Sequence, residues 1–242
     1  MRRRRIMVNE TDETVVVLLS GLWTPAWVML LLQRRIERAG LRCVRFGYAS
    51  ARMGLEENSR CLASFVRALG SPRVCIVGHS LGGVIALHAA AAHALANVRR
   101  IVMMGSPYGD SYAARSLARW SFGRWMLGRT VPAWLAGTRP CPPQGVEVGV
   151  ITGTLAVGLG TLVAPDMPRP HDGVIRAQET RVPGMTAHVE LSVSHIGMAF
   201  SKRVGRLVVR FLLHGRFEPA GQAQPALAVD ERCPLGPKRE SR

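Results

Sequence analysis

The stretch at residues 74–92, "VCIVGHSLGGVIALHAAAA", constrains the fold more than any other part of the chain. An uncharged apolar run leads into Gly78-His79-Ser80-Leu81-Gly82, and an alanine-rich helical segment follows at once. In such a turn small neighbours let the chain bend tightly. The serine oxygen is then held at the carboxyl edge of a sheet, beside the free N–H groups that begin the helix. The stretch predicts that Ser80 is a nucleophile at a strand-to-helix elbow.

Strands and helices alternate on both sides of this elbow. Apolar or β-branched runs predict strands at residues 14–19, 41–48, 73–78, 98–104, 146–152 and 188–193. Helical spacing, with glycine or proline at the ends, predicts helices at residues 26–38, 55–69, 80–94 and 198–214. This alternation is typical of an α/β protein with a mostly parallel central sheet and helices on both faces.

Composition shifts divide the chain into segments. We predict a basic, disordered segment at residues 1–13, one α/β domain at 14–216, and a disordered tail at 217–242, where Pro, Gly, Ala and charges dominate. The alternation stops at residues 111–144, an insertion with five arginines, no acidic residue and three of the five tryptophans. The simpler interpretation is a lid with its apolar side over the site. The alternative is a segment that lies against an anionic membrane.

Charge and cysteine content limit the partners. The 32 Lys and Arg residues against 16 Asp and Glu favour anionic partners, unless the arginine excess only reflects coding habits. No recognition motif accompanies the arginines, so specific nucleic-acid binding is not expected. The five scattered cysteines show neither CxxC pairs nor metal-ligand spacing, which predicts no disulfide framework, no zinc site and a reducing compartment.

The apolar segment at residues 15–32 is long enough to just span a bilayer. Because Ser20-Gly21 and Thr24-Pro25 interrupt it, a strand, a loop and a buried helix are the better interpretation. The arginines at 2–5 resemble the start of a signal peptide, but the polar and acidic stretch at 9–13 precedes any apolar run. We expect a cytoplasmic protein, with peripheral contact at the inner face of the membrane as an option.

A serine hydroxyl is a poor nucleophile unless a base takes its proton. His195 follows the last strand-like run and is the predicted base. His188 lies within that run, and His88 and His93 lie within the helix after Ser80, away from the strand edge. We expect these three histidines to have packing or surface roles.

A carboxylate must fix the tautomer of the base and stabilise its charged form. Asp172, in the loop "PHDGVI", is the predicted acid. Asp166 and the more distant Asp110 are its competitors. The order Ser80, Asp172, His195 is the one expected of a serine at a strand-to-helix elbow.

Two backbone N–H groups are needed to stabilise the oxyanion that forms when serine attacks a carbonyl. We predict the N–H of Leu81, directly after the serine, and that of Leu22, in the loop after the first strand, with Trp23 as an alternative to Leu22. Trp23 and His79 are the candidate substrate-binding residues. His79 is also expected to shape the elbow rather than to transfer protons.

Five stretches, "LLSGLW", "VGHSLGG", "GSPYGDS", "HDGVI" and "VSHIGM", together resemble an α/β-hydrolase of the bacterial lipase and esterase-like branch, over residues 14–215. The serine motif is highly specific to that superfamily and the others are individually weak. The resemblance implies nucleophile Ser80, acid Asp172, base His195 and oxyanion donors Leu22 and Leu81. The chain departs from many relatives in carrying Ser20-Gly21 where they carry His-Gly.

The expected activity is hydrolysis of a carboxylic ester through an acyl-enzyme, without a cofactor or metal. An apolar entrance favours a medium-chain or lipid ester over a sugar or peptide. The alternatives are acyl transfer on the same three residues, or a non-catalytic scaffold of the same fold docked at a membrane. The sequence does not determine the oligomeric state.

Overall fold

The computed structural model describes residues 13–218, and its centre is a six-stranded sheet. The strands are β1 (Thr14–Leu19), β2 (Arg42–Arg45), β3 (Arg73–His79), β4 (Val98–Met104), β5 (Glu147–Gly153) and β6 (Ala187–Leu191). They lie in the order β2-β1-β3-β4-β5-β6, and each neighbouring pair is parallel. The carboxyl ends of these strands therefore meet at one edge of the sheet, where ligands bind in open α/β folds.

Helices cover both faces of the sheet. They are α1 (Leu30–Arg38), α2 (Leu55–Ala68), α3 (Leu81–Ala92), α4 (Tyr112–Ala118), α5 (Ser121–Leu127), α6 (Thr130–Ala136), α7 (Gly160–Val163), α8 (Gly197–Phe200) and α9 (Lys202–His214). Single 3-10 turns occupy Ala26–Met29 and Ala177–Thr180. The predicted fold class, a parallel sheet between helices, is confirmed.

The core consists of two apolar layers, one on each face of the sheet. Val16 and Leu18 of β1 pack in the layer that holds α1 and α9, with Phe211 at its centre. Val17 and Leu19 pack in the layer that holds α2 and α3. Successive residues of a strand point to opposite faces, so a run buried on both faces is apolar without alternation.

Most predicted bounds lie within two residues of the observed ones, and three elements differ by more than that or in type. The second strand ends at Arg45 rather than at residue 48. The first helix begins as a 3-10 turn. The C-terminal helix is broken at Ser201, whose backbone is extended and whose hydroxyl accepts a hydrogen bond from the Val204 N–H. The predicted helix at 198–214 is therefore two helices, α8 and α9.

The insertion at residues 111–144 forms the short helices α4, α5 and α6. Helix α6 is anchored to α2 through Thr130, which accepts a hydrogen bond from Asn58 Nδ2 and donates to a carbonyl in the 50–53 turn. Leu127, Val131 and Trp134 are buried in the layer that also holds α2 and α3. One side of the insertion therefore packs on the domain.

Both predicted terminal segments fall largely outside the described residues. Phe217, which we placed at the start of the tail, packs against Phe211 with ring centroids 5.0 Å apart. No helix among residues 13–218 is long and apolar enough to cross a bilayer. Cys43, Cys61 and Cys75 are free thiols, whereas Cys141 is disulfide-bonded, so the expectation of cysteines without disulfides is wrong for Cys141.

Candidate active site

Ser80 lies at the sharp turn between β3 and α3. Its backbone adopts φ 54° and ψ −125°, a strained conformation that a non-glycine residue rarely occupies. A Cβ on Gly78 would overlap the Gly83 backbone, and one on Gly82 would lie 2.7 Å from the Leu19 and Ser20 carbonyl oxygens. The two glycines that flank the serine motif are therefore required by close backbone packing.

Asp172 and His195 form a buried, hydrogen-bonded pair. His195 Nδ1 lies 2.7 Å from Asp172 Oδ2, and the His195 N–H donates to the Asp172 carbonyl at 2.8 Å. The other carboxylate oxygen accepts hydrogen bonds from the N–H groups of Val174 and Ile175. Asp172 is only 1% exposed. Because Nδ1 is occupied by the carboxylate, Nε2 of His195 is the nitrogen that can take a proton.

Gly105, directly after β4, lies between the segment that binds the Ser80 N–H and the Asp172–His195 pair. The Ser80 N–H donates to the carbonyl of Met104, the residue before Gly105. A Cβ on Gly105 would lie 3.0 Å from Asp172 Oδ2 and 3.1 Å from His195 Nδ1. Within the described residues Ser80 Oγ makes no hydrogen bond to His195. Serine–histidine contacts in hydrolases without bound substrate are often long.

His79 lies directly beneath the base. It is fully buried, and its ring centroid is 4.7 Å from that of His195. Nε2 of His79 donates to the His195 carbonyl at 2.9 Å, while Nδ1 has no hydrogen-bond partner among residues 13–218. Burial lowers the pKa of His79 to about 3. His79 therefore has no surface to offer a substrate, and it supports the base as a neutral imidazole.

The loop after β1 lies against the elbow. A Cβ on Gly21 would lie 3.0 Å from Ser80 Cβ. The Tyr48 hydroxyl donates to the Ser20 carbonyl at 2.7 Å and so holds this loop. The N–H groups of Leu22 and Leu81 donate to no backbone acceptor outside the regular elements described. The predicted oxyanion donors thus flank the serine from two different segments.

Trp23 extends from this loop towards the insertion. Its φ of 53° is also in the left-handed region, and its side chain is more than half exposed. Trp23 Nε1 donates to the Met126 carbonyl at 2.6 Å, and its ring stacks on Trp125 at 6.1 Å. Unlike His79, Trp23 is exposed, in the loop whose Gly21 lies against Ser80; we call this surface the mouth of the site.

The competing residues have other partners. Asp166 accepts a hydrogen bond from the Tyr112 hydroxyl, and Asp110 pairs with Arg115 at 2.6 Å. His188 contacts Thr152, while His88 on α3 and His93 at the C-cap of α3 lie near Glu56. Within the described residues no group of three His, Cys, Asp or Glu side chains could hold a metal ion.

Two contributors, Tyr48 and Gly105, were not found by sequence reasoning. The glycine of "MMGSP" directly follows a predicted strand, which is the signal that could have indicated Gly105. Tyr48 reaches its acceptor across 28 residues of sequence, and no local pattern marks that contact. Burial raises the pKa of Tyr48, which therefore remains a neutral donor.

A known protein family matches most of the chain. The sequence profile of the Alpha/beta hydrolase family matches residues 16–235. The chain belongs to this family. No sequence among the curated proteins matches it. Several solved structures share the fold of this chain at low sequence identity.

Three of these structures illustrate the likeness. A mature lipase from Bacillus licheniformis, BlEst2, is 16% identical with a TM-score of 0.69, over 85% of this chain and 92% of that one. A monoacylglycerol lipase from Paleococcus ferrophilus is 16% identical with a TM-score of 0.54, over 84% and 95%. The metagenomic carboxyl esterase MGS0156 is 17% identical with a TM-score of 0.59, over 76% and 65%.

Proposed function

We propose that this α/β-hydrolase cleaves carboxylic esters through a covalent acyl-enzyme on Ser80, with His195 as base and Asp172 as acid. The observation that carries the proposal is the Asp172–His195 pair, hydrogen-bonded at 2.7 Å behind the elbow that exposes Ser80. Lipases and esterases among the solved structures of the same fold add support.

In the first step the Ser80 hydroxyl gives its proton to His195 Nε2 as Oγ bonds to the ester carbonyl carbon. The carbonyl electrons move to the oxygen, and the N–H groups of Leu22 and Leu81 stabilise the resulting oxyanion. Asp172 stabilises the imidazolium that has formed. The imidazolium then protonates the alcohol oxygen as the carbon–oxygen bond breaks, which leaves an acyl group on Ser80.

In the second step a water molecule replaces the alcohol. His195 removes its proton as its oxygen attacks the acyl carbon, and the new oxyanion meets the same two donors. When the tetrahedral intermediate collapses, Ser80 recovers its proton from His195 and the acid is released. In this proposed cycle His195 accepts and returns each proton.

The mouth of the site favours an apolar acyl chain. Trp23 and Trp125 stack beside the Leu22 loop, and uncharged residues 154–163 lie near the Asp172 loop, where Gly158 and Gly160 approach Gly173. Apolar walls of this kind bind hydrocarbon and do not satisfy sugar hydroxyls or peptide groups. We therefore propose medium-chain or lipid esters as the substrate class.

A series of p-nitrophenyl esters of increasing chain length tests the proposal. The wild type is expected to hydrolyse them with a preference for longer apolar chains, and Ser80→Ala is expected to lose at least about 10³-fold in kcat. Ser194→Ala, next to the base, is the matched serine control. Equal rates for wild type and Ser80→Ala would refute the proposal, and an ester product formed from an added alcohol would redirect it to acyl transfer.

A further inference from the structure

The strongly exposed hydrophobic side chains are confined to one edge of the molecule. Among residues 13–218, every large hydrophobic side chain classed as exposed lies in one of four segments, at 23–31, 120–125, 155–163 and 196–200. These segments follow β1, β4, β5 and β6, at the carboxyl edge where Ser80 lies. We call them the aromatic rim.

The members of the aromatic rim contact one another. Trp125 stacks on both Trp23, at 6.1 Å, and Phe122, at 5.7 Å. The 3-10 turn before α1 packs on α8, and α4 packs on α7. The Leu155 N–H donates to the Val193 carbonyl. Segment 23–31 therefore contacts both 120–125 and 196–200, and segment 155–163 is joined to them through Val193 and α4.

The side chains of the rim lie outside the core. Trp120 is 72% exposed and Leu162 is 79% exposed, although α5, which follows Trp120, buries Leu127, and α7, which carries Leu162, buries Gly160. Single exposed hydrophobic residues are common on protein surfaces, but a contiguous exposed patch is characteristic of a surface that binds a partner.

The charge of the rim identifies the partner. No carboxylate occurs at residues 20–36, 111–144, 154–165 or 191–217. Arg119, Arg124 and Arg129 of the insertion are exposed, and no carboxylate among the described residues pairs with them. Lys202 and Arg203 are exposed beside α8. Trp, Phe and Leu side chains surrounded by arginine match the interface of an anionic bilayer.

We infer that the aromatic rim docks on an anionic lipid bilayer, with the mouth of the site facing the lipid. A symmetric pair of chains would place the same arginine-rich, carboxylate-free patch opposite its own copy, which charge repulsion disfavours. The inference concerns binding and stands whether or not Ser80 is a nucleophile. If the proposed function also holds, the ester enters from the membrane.

Vesicle sedimentation of the full chain with the substitution Ser80→Ala tests docking without turnover. Binding is compared on phosphatidylcholine vesicles and on vesicles with about one-third phosphatidylglycerol. We expect binding only to the anionic vesicles, and about a tenfold or larger loss with Arg119→Glu. Arg99→Glu is the matched control, because Arg99 is exposed at the amino end of β4, on the opposite edge. It should bind like the parent.

A second variant tests the contribution of the hydrophobic side chains of the aromatic rim to vesicle binding. Trp120→Ser combined with Leu162→Ser is expected to weaken binding to anionic vesicles at least about tenfold. Because both side chains are exposed, its midpoint of urea unfolding should match that of the wild type, so that the loss reports the rim and not misfolding.

Three results would overturn the inference. They are absence of binding to anionic vesicles, equal losses for Arg119→Glu and Arg99→Glu, or a stable dimer in light scattering that dissociates when Trp120 and Leu162 are replaced. The last result would assign the rim to a second copy of the chain. Loss of ester hydrolysis alone would test only the proposed function.

Discussion

The nucleophile elbow and the aromatic rim lie at the same edge of the sheet but are built in opposite ways. At the elbow the backbone segments approach so closely that Gly78 and Gly82 have no space for a Cβ. In the rim, Trp120 and Leu162 expose most of their surface and contact little. The comparison indicates that close backbone packing fixes the position of Ser80, whereas the rim leaves its hydrophobic side chains exposed at the surface.

The largest effect is expected for the buried carboxylate of Asp172, which pairs with His195 behind the elbow. Asp172→Asn keeps the shape of the acid but removes its negative charge, so the imidazolium of His195 loses its stabilising partner. We expect kcat on p-nitrophenyl butyrate to fall about 10⁴-fold. Asp166→Asn, which alters only a hydrogen bond from the Tyr112 hydroxyl, should stay within about twofold. A loss below tenfold for Asp172→Asn would remove Asp172 from the mechanism.

Glycine substitutions measure the packing difference directly. Gly78→Ala forces a Cβ into the Gly83 backbone, so the free energy of unfolding should fall by about 4 kcal/mol or more. Gly109→Ala, in the loop before the insertion, has nothing within 4 Å of the new Cβ and should change it by no more than about 0.5 kcal/mol. Urea unfolding checks both, and equal effects would contradict the described elbow.

The buried imidazole under the base should make stability depend on pH. His79 has a folded pKa of about 3, whereas an unfolded histidine titrates near 6.5, so the unfolded state binds more protons between these values. Stability contributed by neutral His79 is therefore present above pH 6.5 and is lost as the pH falls towards 3. The expected slope is at most about 1.4 kcal/mol per pH unit.

His79→Gln isolates this contribution, because glutamine retains a donor for the His195 carbonyl but does not titrate. Urea unfolding between pH 7 and pH 4 should show a smaller slope for the variant than for the wild type. Identical slopes would mean that another group causes the acid sensitivity.

The smallest effect is expected where the elbow and the rim meet. Trp23→Phe keeps an aromatic ring for stacking on Trp125 but removes the exposed hydrogen bond to the Met126 carbonyl. A neutral hydrogen bond of this kind contributes about 1 kcal/mol. We expect KM for a long-chain ester to rise about threefold, with kcat nearly constant. A large fall in kcat instead would show that Trp23 also positions the oxyanion loop.

The sequence predicted the buried strands closely because their burial is a local property. The bounds predicted for β1 and β4 match the observed ones, since each is an apolar run that ends where turn residues begin. The edge strand β2 was predicted too long. Its alternation continues to Tyr48, but that side chain turns back to the Ser20 carbonyl, a contact that no local pattern records.

The break in the C-terminal helix had a signal that was overlooked. Ser201 is a favoured N-cap residue, and its hydroxyl caps Val204. The guanidinium of Arg35 holds the break by donating to the carbonyls of Phe200 and Ser201. Arg35 lies 165 residues from Phe200 in sequence, and helix propensity cannot detect a contact over that separation.

The candidate site shows the same difference between features set by local sequence and features set by long-range contacts. Ser80 and its glycines were identified from a five-residue pattern because the elbow is a local backbone structure. The choice of Asp172 over Asp166 rested on loop composition, and only the fold shows that Asp172 lies 2.7 Å from His195. The exposure of the rim tryptophans could not be predicted, since a lid and a docking surface have the same composition.

Labelling with a fluorophosphonate, followed by peptide mapping, tests the central claim most directly. The account predicts one adduct per folded molecule, on Ser80, absent from Ser80→Ala and greatly slowed in His195→Ala. An adduct on a different serine, or no adduct on protein shown to be folded, would contradict the assignment of Ser80 as the nucleophile.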